Sequence, residues 1–456
     1  MEDLMNIIVA LLVFTVIIVL HELGHFLLAK KNGVGVTEFS VGMGPRLITL
    51  VKTENGMSCK LVPSQKYCES REDWKDRTWY SWKLFPIGGS CMMVGEDEVN
   101  EAPNSFQKKG VWARISIIAA GPVFNFISAF VFSIILLGCI GYNPSVVTYV
   151  APDSSAAEAG IKEGDRITEI NGEKIVIGSD YSVYFSLHNV GDEPLTVKYT
   201  TKEGEKKEAK VDPNYSYYRL GYSYGSSSAD EPAIVSAIEE GSPMDKAGIK
   251  VGDTITSING HKTDTVQSMS DYLTENPLTE KPVTLTYVRD DVEKTIEVTP
   301  HYATVKSLQM SMGLREKGNV FKTIRYSASE IRFWIESTIK SLGMMISGNV
   351  SKDDVSGVVG IVDMIGTTVD ASKTTADVLL NLLNIAIFLS ANLGVMNLLP
   401  FPALDGGRLV FLIIELFRGK PIDQEKEGMV HLIGIVLLMV LMIFVTYNDI
   451  ARLIRG

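Results

Sequence analysis

Four apolar runs limit what this 456-residue chain can fold into. They cover Met5 to Leu28, Ile115 to Ile140, Val378 to Leu399 and Leu432 to Val445, the last with room to begin earlier. A hydrocarbon core roughly 30 Å thick takes about 20 residues of helix to cross. In lipid a segment must satisfy its own backbone hydrogen bonds, so each run is expected to be a helix. The first run does not read as a signal peptide: Glu2 and Asp3 stand where basic residues would, and no small-residue cleavage site follows. The expectation is a retained span. Between the second and third runs lies a long polar segment, so a membrane domain with a soluble part is expected.

The first run contains Leu20-His21-Glu22-Leu23-Gly24-His25-Phe26. On a helix, His21 and His25 are one turn apart and share a side. Two imidazoles at that spacing suit one Zn²⁺, and Glu22 beside them suits proton transfer from a water the metal activates. The chain has six histidines, so the pairing is unlikely to be chance. Polar side chains inside an apolar span are costly and stay where function or pairing holds them. The bland reading, a solvated helix-end cap, does not suit apolar flanks on both sides.

Basic residues give an orientation. Lys30 and Lys31 follow span one, and Lys108, Lys109 and Arg114 precede span two. This puts residues 29–114 in the cytoplasm and residues 141–375 outside. Arg408, Arg418 and Lys420 between spans three and four agree, while Arg452 and Arg455 run against it. Spans one and three then run in the same direction. A third ligand is expected where span three ends, level with His21 and His25.

Span three ends in Asn397-Leu398-Leu399-Pro400-Phe401-Pro402-Ala403-Leu404-Asp405-Gly406-Gly407-Arg408. The prolines stop the helix. A catalytic zinc site has three protein ligands and one open position, and Asp405 supplies a third ligand at the expected depth. The competing reading makes Asp405 the N-cap of a helix from about Arg408 to Phe417. Asn397 is placed to donate a hydrogen bond to a developing oxyanion. In span two, Gly121-Pro122-Val123-Phe124-Asn125 puts a Pro and an Asn among apolar residues. Asn125 can bond a neighbouring helix or line a polar cavity.

Two apolar stretches, Phe39 to Pro45 and Phe85 to Gly95, contain Gly42 and Gly89. They read as short strands or a hairpin dipping toward the membrane, or as an ordinary loop pair. Tyr67 to Trp82 between them reads as an interfacial segment.

The exterior part repeats. Ala159-Gly160-Ile161-Lys162-Glu163-Gly164-Asp165 returns 88 residues later as Ala247-Gly248-Ile249-Lys250-Val251-Gly252-Asp253, and Asn171-Gly172 as Asn259-Gly260. Alternating runs at Leu195, Val197, Tyr199 and at Val283, Leu285, Tyr287 mark half-buried strands. These copies resemble PDZ domains, which take an extended chain end by strand addition. The alternative is that they only pack and block access. Residues 317–348 read as an amphipathic helix, on the outer membrane surface or packed on the second copy. Domain limits are expected at 1–140, 141–227, 228–316, 317–375 and 376–456. The fold class is a multi-pass α-helical membrane protein of four spans with a membrane-dipping β element, plus two α/β PDZ-like domains.

Net charge is −11, so nucleic acid is not an expected partner. The four cysteines show neither a disulfide framework nor a zinc spacing.

Taken together, H-E-L-G-H in span one, G-P-x-x-N in span two and N-x-x-P-x-P-x-L-D-G after span three resemble the site-2 protease family. Two PDZ-like copies between spans two and three resemble its RseP-like branch. The resemblance implies an intramembrane zinc endopeptidase of a bacterial inner membrane, with its active site near the cytoplasmic face. It implies substrates with a single span, such as anti-sigma factors trimmed by another protease, and remnant signal peptides. By motif, His21, His25 and Asp405 match the zinc ligands and Glu22 the acid/base. Asn397 and Asn125 match residues that handle the substrate strand, and the stretches at Gly42 and Gly89 the membrane-dipping β element. Two other classes are weighed. A non-catalytic membrane PDZ receptor would not need His21, Glu22, His25 and Asp405 intact. A membrane-anchored protease for soluble substrates would carry its H-E-x-x-H outside the apolar span.

Overall fold

The structure, a computed structural model, describes residues 2–96, 100–225, 230–348 and 356–455. It divides into two compact units, Met1–Tyr142 with Arg315–Arg455, and Asn143–Leu314.

The first unit is built on seven long helices: α1 (Glu2–Lys31), α2 (Val111–Ile140), α3 (Val320–Ile346), α4 (Val358–Asp370), α5 (Thr375–Leu398), α6 (Asp405–Arg418) and α7 (Gln424–Arg455). Among the described residues, the four long and apolar enough to cross a membrane are α1, α2, α5 and α7. They cover the four expected runs, save Leu399, which follows the end of α5. Helix α2 runs through Pro122 without a break, so the carbonyl of Ile118 loses its usual helical donor. Helix α5 ends at Leu398, before Pro400 and Pro402.

Small and branched side chains pack the bundle. Ala10 and Ile17 of α1 meet Ile365 of α4 and Ile385 and Leu389 of α5. Ala129 and Leu136 of α2 meet Ile331 of α3 and Ile387 and Ala391 of α5. Helix α3 is therefore part of the bundle. It packs on α5, where Trp334 rests on Phe388 and Thr338 hydrogen-bonds Asn392. Helix α7 leaves Leu432, Ile433, Val436, Leu437 and Val440 exposed. Its buried Asp449 accepts N–H bonds from Gly357 and Gly360, capping the start of α4.

Between α1 and α2 lies a sheet of β1 (Val36–Thr53), β2 (Gly56–Leu61) and β3 (Trp79–Met93), in the order β2-β1-β3. The strands are long, not short as expected, because each doubles back. Residues 79–82 pair with 48–51 on one side and with 38–41 on the other, and 89–93 pair outside 36–41. Among the described residues no strand pairs beyond 89–93, so that stretch is a free edge. Trp74 and Trp79, expected at an interface, are buried with Val51 and Cys68. Their indole N–H groups find Ser58 and the Trp74 carbonyl, which makes burial tolerable.

The second unit holds both PDZ-like copies. Strands fill 195–200 and 283–289 as the alternation predicts. The repeated Gly-Asp has a local cause. Asp165 accepts the Lys162 N–H and Asp253 the Lys250 N–H, so each carboxylate closes its own turn. The repeated Asn171 and Asn259 take φ of +47° and +50°, as tight Asn-Gly hairpin turns require.

The copies are nested and not consecutive. Met310–Met312 pairs with Val147–Val150, and Leu308 and Met310 lie in the first copy's core. Leu308 stands 88 residues after Leu220, which fills the same place in the second core. The inserted copy enters and leaves at one point, where the Ser307 N–H donates to the Pro213 carbonyl at 2.8 Å. Residues 308–312 thus belong with the first copy and not with 228–316. The expected limit at 227/228 lies outside the described residues.

Candidate metal centre

The H-E-x-x-H spacing falls on α1 as expected, with His21 and His25 buried. Their Nε2 atoms are 3.1 Å apart. Asp405 Oδ2 is 3.2 Å from His21 Nε2 and 3.4 Å from His25 Nε2. Among the described residues this is the one group of three or more His, Cys, Asp or Glu close enough to share an ion. Asp405 is the first residue of α6 and not its N-cap, which is Leu404. Its carboxylate is therefore free to turn toward the imidazoles.

The donor set fits a zinc ion. The three atoms crowd toward one point, yet Asp405 Oδ2 is buried with no properly aligned hydrogen-bond donor. Two imidazoles and one carboxylate are a known catalytic zinc set.

Each histidine is fixed through its other nitrogen, as metal-ligating imidazoles commonly are. His25 Nδ1 donates to the Ile117 carbonyl of α2 at 2.9 Å. His21 Nδ1 faces the Asn125 amide at 3.1 Å. Asn125 is fully buried and its Oδ1 has no partner. Turning the amide over brings that oxygen to a His21 Nδ1–H, which satisfies both groups. Asn125 thus packs on His21 and does not line open space.

Gly121 makes the arrangement possible, a role that its place in G-P-x-x-N did not reveal. A Cβ there would lie 2.4 Å from His25 Nε2 and 2.7 Å from His21 Nε2. No side chain fits between α2 and the paired rings.

Strand β3 passes on the other side of α1. The Thr15 hydroxyl donates to the Pro86 carbonyl at 2.5 Å. A Cβ on Gly89 would lie 3.6 Å from Glu22 Cγ and 2.9 Å from the Ser40 carbonyl. The free strand edge therefore runs beside Glu22. Cys91 is close by, but burial first, then the Glu22 and Glu96 carboxylates, push its thiol up, so it is no thiolate ligand. Gly42 sits at the turn of β1 with φ +85°, packed on the Phe85 carbonyl. Asn397 lies on the last turn of α5, half-buried.

The structure thus brings His21, Glu22, His25, Asp405, Asn125 and Gly89 into one neighbourhood. Among the described residues, no hydrogen bond or ion pair joins Gly42 or Asn397 to it.

Comparison with known proteins agrees. The zinc metalloprotease RasP of Bacillus licheniformis is 33% identical over 98% of this chain and 100% of its own length. The regulator of sigma-W protease RasP of Bacillus subtilis is 30% identical over 98% and 99%. Protease RseP of Yersinia pestis is 27% identical over 96% of each. Among solved structures, the HtrA3 PDZ domain bound to a phage-derived ligand aligns with 20% of this chain and 92% of its own. That alignment has 16% identity and a TM-score of 0.17. Peptidase family M50 matches residues 9–441, nearly the whole length, and the chain belongs to that family.

Proposed function

We propose that this protein is an intramembrane zinc endopeptidase that cuts the spans of single-span membrane proteins. One observation carries the reading: His21, His25 and Asp405, 384 residues apart at the extremes, present their ligand atoms within 3.4 Å of one another beside Glu22. His21 Nε2, His25 Nε2 and Asp405 Oδ2 would hold a zinc ion, which would supply Lewis-acid polarisation of the scissile carbonyl and acidify water at neutral pH. Glu22 takes the proton from the attacking water and passes it to the leaving amine. Asn125 and the Ile117 carbonyl orient the two imidazoles. Asn397 donates to the developing oxyanion.

A substrate helix has its amides bonded internally and must unwind before a peptide bond can be attacked. The free edge at 89–93 accepts the unwound segment as an added strand. Gly89, with no side chain, lets that strand pass close to Glu22, and the turn at Gly42 supports it. The relative named as a regulator of sigma-W protease supports anti-sigma-factor-like substrates, and these are cut after another protease has trimmed them. Remnant signal peptides are a second substrate class. The protein sits in a bacterial inner membrane, with the PDZ-like copies outside and the metal near the cytoplasmic face. The copies act as a size filter against untrimmed substrates.

Glu22→Gln tests the reading. It keeps the ligands and removes the base, so cleavage should fall on the order of 10²–10⁴-fold while zinc stays bound. Quantitative proteomics of membranes with wild-type or Glu22→Gln protein should show short single-span fragments accumulating in the variant. Identical fragment profiles, with normal cleavage by the variant, would refute the role.

A further inference from the structure

Asp405 follows a turn that needs outside support. Residue Ala403 has φ +79°, a left-handed conformation that a residue with a Cβ rarely adopts. The support comes from α7. The Ala403 N–H donates to His431 Nδ1 at 2.9 Å. One turn further along the same face, a Cβ on Gly434 would lie 2.4 Å from the Pro402 carbonyl. Two contacts from one helix therefore meet two consecutive residues just before Asp405. Phe411 of α6 packs on the His431 ring, with centroids 5.6 Å apart. Glu427, one turn back on α7, has its carboxylate 3.8 Å from His431 Nε2.

We infer that His431 is a positioning residue for the metal centre: through the Ala403 amide it holds the strained turn that aims Asp405 at His21 and His25. The inference builds on the reading of Asp405 as a ligand. The chemistry is specific to an acceptor nitrogen. Nδ1 takes the amide proton, so the neutral ring carries its own proton on Nε2, toward Glu427. An apolar replacement leaves the Ala403 amide without its partner and lets the turn relax. The third ligand then spends less time in place, which weakens the ion's hold without touching either imidazole. An asparagine at 431 offers an oxygen to the same amide.

The test is a Co²⁺ titration of full-length, chelator-stripped protein in detergent, read by visible absorption, which reports ligand number and geometry. Wild type should bind one equivalent. His431→Leu should bind about 10–100-fold more weakly, the usual effect of losing a ligand's support, with an altered spectrum. His431→Asn should stay near wild type in both. Gly434→Ala, which forces α7 off Pro402, should weaken binding as His431→Leu does. It carries the test if the leucine variant does not fold. Wild-type affinity and spectrum in both His431→Leu and Gly434→Ala overturn the inference and leave the proposed function standing. Equal losses in the leucine and asparagine variants also overturn it, because packing alone would then explain them. A wild type that binds no Co²⁺ overturns the metal reading itself.

Discussion

At the scale of single residues, the centre depends on what is missing as much as on what is present. Two imidazoles one helical turn apart need a flat neighbour, and Gly121 is that neighbour. Even a methyl group there would stand 2.4 Å from His25 Nε2, inside any allowed contact. Gly121→Ala should therefore push the rings apart and abolish metal binding, although it alters no ligand. Metal content of the purified variant, by atomic emission, checks this; full occupancy would show that α2 can move aside. The cluster was legible because His21 and His25 obey a local period and Asp405 follows a helix-stopping Pro-x-Pro. Gly121 was not, since its role exists only where α2 crosses α1.

At the scale of elements, α1 is held between two surfaces. Helix α2 touches the face with the imidazoles, and β3 touches the face with Thr15, Val19 and Glu22. At Gly89 the strand passes close to the helix beside Glu22. A valine there would meet the Ser40 carbonyl at 2.9 Å and Val19 Cγ2 at 3.2 Å through its Cβ alone. Overpacking of this kind costs about 1–3 kcal/mol. If the strain falls on the substrate edge, it lowers kcat/KM about ten- to hundredfold. Gly89→Val should thus cut poorly while binding metal normally, a pattern that separates the strand's work from the ion's. Steady-state cleavage of a reconstituted span, with metal content measured in parallel, reads both. Lost metal in this variant would mean that the strand also shapes the ligand cluster.

At the scale of the whole molecule, each insertion closes on itself. Tyr142 and Glu316 exchange backbone hydrogen bonds at 2.8 and 2.9 Å, so the chain leaves and re-enters the membrane unit at one place. Deleting residues 143–314 should leave a folded enzyme that cuts trimmed substrates and now accepts untrimmed ones. An unchanged preference would end the filter idea. The inner insertion closes in the same way at Pro213 and Ser307. Removing residues 214–306 from the isolated 143–314 unit should leave a first copy that unfolds cooperatively. A fragment of 143–227 should fail to fold, because it lacks Leu308, Met310 and the strand at 310–312. Thermal unfolding followed by circular dichroism distinguishes the two.

The sequence by itself determined the apolar helices, the paired imidazoles, the placing of Asp405 beside them and the 88-residue repeat. Each of these is written in a local period or spacing, and local geometry is all that such patterns encode. Only the tertiary structure decided that strands 36–53 and 79–93 double back into a sheet with a free edge beside Glu22. Only it showed the two PDZ-like copies nested, and α7 reaching the Asp405 turn through His431. These contacts join residues far apart in the chain. Their partners are chosen by packing, which no single stretch of sequence contains.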